Sequence, residues 1–147
     1  MKRFLICALA LFIVTPLFAL SSQDQQIFNA MQDEMTRTQK ELKMPHMAKP
    51  YFTVYKVINI KSYDFLASSG TLAKQEEENQ TVAKVMIRVG TPKDDNSFFK
   101  ESVIATAPVP DAGDNYYSLR YALWGLTDSA YKQALAQLAK KDAFKKN

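Results

Sequence analysis

Apolar residues recur at two different spacings along the chain, and each spacing predicts a different kind of element. Over residues 22–44 they recur every three or four positions, which predicts an amphipathic helix. The positions on its apolar face are Ile27, Phe28, Met31, Met35 and Leu42. Ser22 and Gln25 match a capping box at the helix start. Pro45 and Pro50 are expected to end the helix, because the residue before a proline avoids helical backbone angles.

The middle of the chain alternates between apolar and polar positions, which predicts strands. Residues 51–60 form the clearest strand, residues 63–69 a second one that ends in a kink or bulge, and residues 81–89 a third. The polar stretch 72–79 is interpreted as the exposed end of a hairpin. In the third strand one set of side chains is expected to face the core. That set is Ala83, Val85, Ile87 and Val89.

A weaker fourth strand is predicted within residues 98–106, between loops over residues 90–97 and 108–113 that are marked by Gly, Pro, Asn and Asp. The last element is predicted to be a long helix capped by Asp114. Its apolar stripe consists of Leu119, Leu123, Leu126, Ala130 and Ala134. A row beside it, Tyr117, Trp124, Tyr131 and Leu138, is interpreted as core packing, with a ligand platform as the alternative. Gly125 is expected to mark a close approach by another element.

These elements predict an α+β fold. The sheet is expected to be mostly antiparallel with three or four strands, accompanied by an N-terminal helix and a long C-terminal helix. The two helices are expected to cover one face of the sheet. The length of 147 residues suits one such domain.

Residues 1–21 have the layout of a secretory signal peptide. Lys2 and Arg3 precede an uncharged apolar run that ends in small residues near Ala19 and Ser21. The alternative is an uncleaved membrane anchor, but the run has about 17 residues, the lower limit for crossing a bilayer. The sequence therefore predicts one domain over residues 22–147 that is periplasmic or secreted, with no stable membrane anchor after cleavage.

Charge and cysteine content narrow the function classes further. Without Lys2 and Arg3, 17 basic residues balance 15 acidic ones, too small an excess to indicate a nucleic-acid partner. Cys7 is the only cysteine and lies in the signal segment. The domain is therefore expected to contain no disulfide, no thiolate nucleophile and no zinc–cysteine site.

Catalytic and metal motifs are missing from the sequence. His46 is the only histidine, and a zinc hydrolase needs several nitrogen ligands plus a general base. No GxSxG elbow accompanies the serines. The acidic groups Asp94–Asp95 and Glu76–Glu78 lack the spacing of a calcium loop and are interpreted as solvated. No catalytic residue, metal ligand or cofactor is therefore assigned.

Several segments, taken in order, resemble the N-terminal part of the TldD/PmbA family of bacterial metallopeptidases. They are Lys40-Glu41-Leu42, Lys49-Pro50-Tyr51-Phe52 with Tyr55, Arg88-Val89-Gly90, Asp95-Asn96-Ser97-Phe98, Leu119-Arg120, Ala122-Leu123-Trp124, Thr127-Asp128 and the run from Ala130 to Leu135. The resemblance covers nearly all of the chain after the signal segment. It implies a mixed helix and sheet module that packs beside a catalytic part and helps to shape a substrate cleft.

In that family the metal-binding histidines lie further downstream, and no position here matches their motif. The resemblance therefore implies an exported, non-catalytic module that serves assembly or peptide guidance, with a peptidase-like catalytic domain or subunit, or peptides, as partners. It is either the first part of a longer chain or a standalone module. Two alternatives remain open. One is an independent periplasmic binding or adaptor protein, and the other is a small enzyme that uses Asp64, Asp128 and Tyr131 as acid and base.

Overall fold

The computed structural model describes residues 20–97, 104–109 and 116–146. Within these ranges the chain forms two helices and four strands. The elements are α1 (Ser22–Glu41), β1 (Pro50–Ser68), β2 (Thr71–Thr91), β3 (Asp94–Asp95), β4 (Ala105–Val109) and α2 (Tyr116–Lys146). The predicted α+β class is confirmed, because every strand pairing in the described ranges is antiparallel, and one long helix precedes the strands while the other follows them.

Strand β2 is the centre of the sheet. It pairs with β1 along one edge, and with both β3 and β4 along the other. The pairing with β4 covers only residues 81–85 of β2, and the pairing with β3 covers only residues 90–91. The β1–β2 pairing is far longer, from Pro50 opposite Val89 to Ser68 opposite Thr71.

Two predictions about this hairpin are corrected. The segments 51–60 and 63–69 are one continuous strand, β1, because Lys61 and Ser62 stay in register with β2. The stretch 72–79 is exposed, as expected, but it is strand rather than the end of the hairpin, with one shift of register between the pairs Leu66–Lys74 and Ala67–Leu72. The chain reverses at Ser69 and Gly70, which have φ angles of +52° and +78°. Two central residues with positive φ are typical of the tight turn that matches the natural twist of paired strands.

The core lies between the helices and one face of the sheet. The predicted inward set of β2 is buried, and the stripe of α2 packs on it through Leu119, Leu123, Ala130 and Ala134. The intervening β2 residues Lys84, Met86 and Arg88 lie on the other face and are half-buried. Alternation with a period of two therefore identifies the covered face correctly.

A chain of buried hydroxyl groups connects the two helices to the sheet. The Tyr55 hydroxyl of β1 lies 2.9 Å from Oγ1 of Thr38 in α1 and 2.8 Å from Oγ1 of Thr127 in α2. The Thr127 hydroxyl also donates to the carbonyl oxygen of Leu123 at 2.6 Å. Burial raises the pKa of Tyr55, so the phenol stays protonated within the core.

Helix α1 begins and ends slightly differently from the prediction. Its N-cap is Ser21, whose Oγ accepts from the backbone N–H of Asp24 at 3.1 Å, so the cap lies one residue before the predicted Ser22. The helix ends at Glu41, where Leu42 donates to the carbonyl oxygen of Thr38, rather than at residue 44. The predicted and observed N-caps differ by one residue because Ser21 and Ser22 are adjacent and serine favours the N-cap position in either place.

Helix α1 also buries one carboxylate. Glu34 is fully buried, and its oxygens accept two hydrogen bonds from Nε of Arg37, at 3.1 and 3.0 Å, and one from Nη2 at 2.5 Å. The hydrogen bond to Glu34 raises the pKa of Arg37. The neighbouring Asp33 instead accepts a hydrogen bond from the Tyr116 hydroxyl, which connects α1 to the start of α2.

Other sequence predictions fall partly or wholly on residues that are not described. The fourth strand is present at Ala105–Val109, later than the predicted 98–106, so Pro108 and Val109 are strand rather than loop. The Asp114 cap, the signal segment over residues 1–19 and the rest of the second loop lie outside the described residues. None of the helices in the described ranges is long and apolar enough to cross a membrane.

Gly125 corrects another expectation. A Cβ built at Gly125 would meet no atom within 4 Å, and the residue is exposed in the middle of α2. No element of the described chain approaches it closely. Glycine is instead required by a close approach at residue 90. The φ of Gly90 is +105°, and an added Cβ would lie 2.5 Å from the carbonyl oxygen of Asp94.

Candidate functional site: a protruding hairpin

The distal half of the β1–β2 hairpin extends beyond the rest of the fold. We call residues 60–80 the arm. All of them are exposed, and in the described chain the arm strands pair only with each other. Strand β4 ends at Val109 opposite Thr81, which is the first buried residue of β2 after the arm. Ten residues per strand at about 3.3 Å each give an arm of roughly 33 Å.

The arm carries large apolar side chains that nothing in the described chain covers. Five of them are between 44% and 59% exposed: Ile60, Tyr63, Phe65, Leu66 and Leu72. A two-stranded hairpin is at best marginally stable in water, and independent stability requires a third strand or a packed layer. The exposed apolar groups therefore make the arm a candidate binding surface.

The aromatic side chains of the arm continue the core-facing side of β1. Residues 55 and 57 face the helices, and the next odd-numbered positions outward include Tyr63 and Phe65. The rings of Tyr63 and Phe65 are nearly parallel, with centroids 6.3 Å apart. The Lys61 ammonium lies 5.2 Å from the Tyr63 ring centroid and 2.6 Å from a Glu77 carboxylate oxygen. On this side of the sheet the two rings therefore lie next to a lysine, and no helix of the described chain covers them.

The two strands of the arm differ in charge. The β1 strand of the arm contains one lysine and one aspartate, Lys61 and Asp64. The β2 strand contains Lys74 and three consecutive glutamates, Glu76–Glu78. Lys74 pairs with Asp64 across the strands at 3.4 Å and with Glu76 at 2.8 Å. Charged residues on an edge strand discourage pairing with another strand, so the β1 edge is the more open of the two.

A small cavity lies at the base of the arm. Its volume is about 240 Å³, and its lining includes Ile27 and Phe28 of α1 together with Val57 and Asn59 of β1. Ligand pockets are usually about 300–1,000 Å³. The cavity is therefore smaller than a typical cofactor or substrate site, although Phe28 adds another half-exposed ring close to the arm.

Helix α2 has a second exposed aromatic group. Tyr117 is 77% exposed and Trp124 is 47% exposed, so the interpretation of these two residues as core packing is wrong. Tyr121, also exposed, stacks on Trp124 with ring centroids 6.1 Å apart. Tyr131 of the same row is buried, as expected, and its hydroxyl donates to the carbonyl oxygen of Ala48 at 2.9 Å. Residues spaced seven apart along α2 therefore pass from its exposed face at Tyr117 to its buried face at Tyr131.

The acidic pair Asp94–Asp95 is not simply a solvated loop. Asp94 is half-exposed and binds Lys145 at 2.5 Å and Lys141 at 3.1 Å. Asp95 is buried, and it accepts hydrogen bonds from the Tyr51 hydroxyl and, at 2.8 Å, from the backbone N–H of Ser97. The prediction for Asp95 is thus wrong.

The environment of Asp95 favours its ionised form. Burial acts to raise the pKa of Asp95, but hydrogen bonds from Ser97 and Tyr51 outweigh it and hold the pKa below its ordinary value. Arg88 adds a more distant positive charge at 3.7 Å. Lys141 donates to the backbone oxygen of Asp95 at 2.6 Å, which connects the end of α2 to this loop.

Asn96 completes this connection, because its side-chain amide forms hydrogen bonds with the backbone of β2 as a neighbouring strand would. Its side-chain oxygen accepts from the backbone N–H of Val89 at 2.9 Å, and its side-chain nitrogen donates to the carbonyl oxygen of Ile87 at 3.3 Å. These contacts satisfy β2 backbone groups beyond Val85, which is opposite the first residue of β4. Residues 94–97 therefore hold the base of the hairpin against α2, which is a structural role.

The other residues considered for chemistry have separate partners. Asp64 pairs with Lys74 in the arm, and Asp128 pairs with Lys132 on the surface of α2 at 2.6 Å. His46 is exposed in the loop between α1 and β1, with a φ of +62°. In the described ranges, no three His, Cys, Asp or Glu side chains lie close enough together to hold a metal ion.

No protein-family model, curated protein or solved structure matches this chain. The arm itself was not recognised as a site from the sequence. The available signal was the lack of Gly, Pro, Asn or Asp between Ile60 and Tyr63, together with the Ser69-Gly70 turn.

Proposed function

We propose that this protein is an exported, non-catalytic assembly module, similar to the N-terminal part of a TldD/PmbA-like metallopeptidase. The observation that carries the proposal is the arm, whose Tyr63 and Phe65 rings lie on the core-facing side of β1 with nothing covering them in the described chain. Exposed apolar side chains on a two-stranded arm cost solubility and stability unless a partner buries them. Export is the expectation from residues 1–21.

The residues that carry the resemblance have mainly structural contacts, which supports a non-catalytic role. Tyr51 and Asp95 contact each other, Tyr55 contacts Thr127, and Tyr131 contacts the backbone at Ala48. These contacts position the helices on the sheet and fix the base of the hairpin. Peptidase chemistry would then belong to the partner, and this chain would contribute the arm as a docking element or as an edge that guides an extended peptide.

The test compares the full chain with a variant in which residues 61–79 are replaced by Asn-Gly. Each protein is immobilised and exposed to an extract of the cells that produce it, and retained proteins are identified by mass spectrometry. We expect a TldD/PmbA-like peptidase to be retained by the full chain and lost from the shortened variant. Retention of no such peptidase by either protein, or zinc-dependent cleavage of casein by the purified chain itself, would contradict the proposal.

A further inference from the structure

The free edge of β1 is the part of the arm that is best suited to accept another strand. In the described chain β1 pairs with β2 alone, so its other edge is unpaired from Pro50 to Ser68. No proline interrupts it after Pro50, and the arm segment of β1 has no net charge. The β2 edge of the arm has three consecutive glutamates, which oppose pairing with another acidic strand. An incoming strand should therefore pair with β1.

We propose that the strand that pairs with the β1 edge is the same segment of a second copy of this chain. This inference rests on the proposed assembly function of the arm and adds a second copy of this chain to the partners that the arm binds. Two copies related by a twofold axis would place their arms side by side and antiparallel, with Tyr63 opposite Tyr63 of the second copy. In such an interface each contact occurs twice, because the same surface is used by both chains.

The sequence of the arm is self-complementary in this register. Ile60 lies opposite Leu66 of the second copy, so two half-exposed aliphatic side chains cover each other. Ser62 lies opposite Asp64 of the second copy, which pairs a hydroxyl donor with a carboxylate. Lys61 lies opposite Phe65 of the second copy, where the ammonium can contact an aromatic ring. Directly opposite side chains of these kinds stabilise paired strands.

Neighbouring registers are less favourable for identifiable reasons. A register centred on Asp64 places that carboxylate opposite itself, and one centred on Lys61 places two ammonium groups opposite each other. A register centred on Ser62 places Ile60 opposite Asp64, and one centred on Phe65 places Asp64 opposite Leu66. The Tyr63 register alone among these five avoids both like charges and an apolar group opposite a carboxylate.

The proposed pairing also removes the structural weakness of the arm. Two arms side by side form a four-stranded antiparallel ribbon, which exceeds the three strands needed for independent stability. The rings of Tyr63 and Phe65 from both copies then lie on one face as a continuous aromatic cluster. Ser68, near the tip of one arm, lies opposite Ile58 of the other copy, so each tip reaches the base of the other arm.

Cysteine cross-linking tests the register directly, because the only native cysteine is Cys7. In the full chain with Cys7→Ser, Tyr63→Cys places two sulfhydryl groups across the twofold axis. Directly opposite residues in antiparallel strands have Cα atoms about 4.5–5.5 Å apart, which is within the range of a disulfide. Leu66→Cys on the same strand is the matched control, since residue 66 lies about 20 Å from its own copy in this register.

We expect oxidation to give at least about tenfold more disulfide-linked dimer from Tyr63→Cys than from Leu66→Cys, given these distances. Light scattering should show a dimer for the unmodified chain and a monomer for Tyr63→Glu, which places like charges on the axis. Equal cross-linking of the two cysteine variants, or a monomeric unmodified chain, would overturn the inference. If the chain is monomeric while peptidase retention still depends on the arm, only this inference fails. If neither depends on the arm, the proposed function fails as well.

Discussion

The hydroxyl of Tyr55 in β1 lies 2.8 Å from Oγ1 of Thr127 in α2, inside the core. The same hydroxyl lies 2.9 Å from Oγ1 of Thr38 in α1, so a single phenol joins both helices to the sheet. Tyr55 stands only five residues before the arm begins. The rigid part of the hairpin is therefore anchored directly next to its exposed part, and the arm projects from a fixed base.

Tyr55→Phe should lower the free energy of unfolding by about 1–3 kcal/mol, because Thr38 would be left without its buried partner. Thr127 is affected less, since it also donates to the Leu123 carbonyl oxygen. Urea denaturation measures the difference. Tyr121→Phe, which removes a hydroxyl from a residue that is 75% exposed, is the control and should have little effect. Equal stability of the two variants would contradict this role of Tyr55.

Asp95→Asn should also destabilise the protein at neutral pH, by about 1–3 kcal/mol, because it removes an ionised acceptor from a buried hydrogen-bond group. The pKa of Asp95 is lower in the folded chain than in the unfolded chain. Its ionised form therefore stabilises the fold above pH about 4, the ordinary aspartate pKa, and this contribution is lost as the pH falls through the folded pKa.

Thermal melts between neutral pH and pH 2–3 test this linkage, with the range set by the ordinary aspartate pKa of about 4. The difference in stability between the unmodified chain and Asp95→Asn should shrink as the solution becomes more acidic. A difference that stays constant across this range would mean that the Asp95 charge does not contribute. The control is Glu76→Gln, which replaces one carboxylate by an amide in the same way but in the exposed arm.

Gly125→Ala should stabilise the protein by about 0.5–1 kcal/mol, because alanine is the better helix former and an added methyl group meets nothing. Gly90→Ala is the contrasting variant. Its Cβ would lie 2.5 Å from the Asp94 carbonyl oxygen at a φ of +105°, so a loss of stability is expected. Denaturation midpoints distinguish the two effects, and a destabilised Gly125→Ala would indicate a contact that the fold does not show.

Replacing residues 61–79 by Asn-Gly should leave the body of the protein intact. Ile60 and Gln80 are directly opposite, so a two-residue turn can close the shortened hairpin without changing which side chains face the helices. None of the removed residues is buried. We expect the melting temperature to change by no more than about 4–8 °C, the shift that 1 kcal/mol causes in a small domain. Loss of cooperative unfolding would mean that the arm is part of the core.

Much of the fold could be predicted because its signals are local. The alternation in residues 81–89 identified the buried face of β2, and the stripe of α2 residues identified the packed helix. The length of the hairpin could not be predicted in this way. Lys61, Ser62 and the glutamates of β2 resemble loop residues, and only their cross-strand register makes them strand.

The role of Asp95 was missed for a similar reason. Two aspartates after Gly90 have the composition of a solvated turn, and the groups that bury Asp95 come from distant parts of the chain. Tyr51 is 44 residues away, and Lys141, which contacts its backbone oxygen, is 46 residues away. Tyr117 and Trp124 were misassigned because a spacing of seven residues drifts around a straight helix relative to its buried face.

Hydrogen exchange at increasing protein concentration tests the central claim, that the arm is an assembly surface independent of the core. We expect the amides of residues 60–68 to exchange quickly in dilute solution and to become protected as concentration rises. The amides of residues 81–85 should stay protected throughout, because β1 and β4 cover that part of β2 on both edges. Arm amides that are as protected as the core in dilute solution would contradict the claim that the arm is independent of the core. Arm amides that show no change with concentration would contradict its pairing with a second copy.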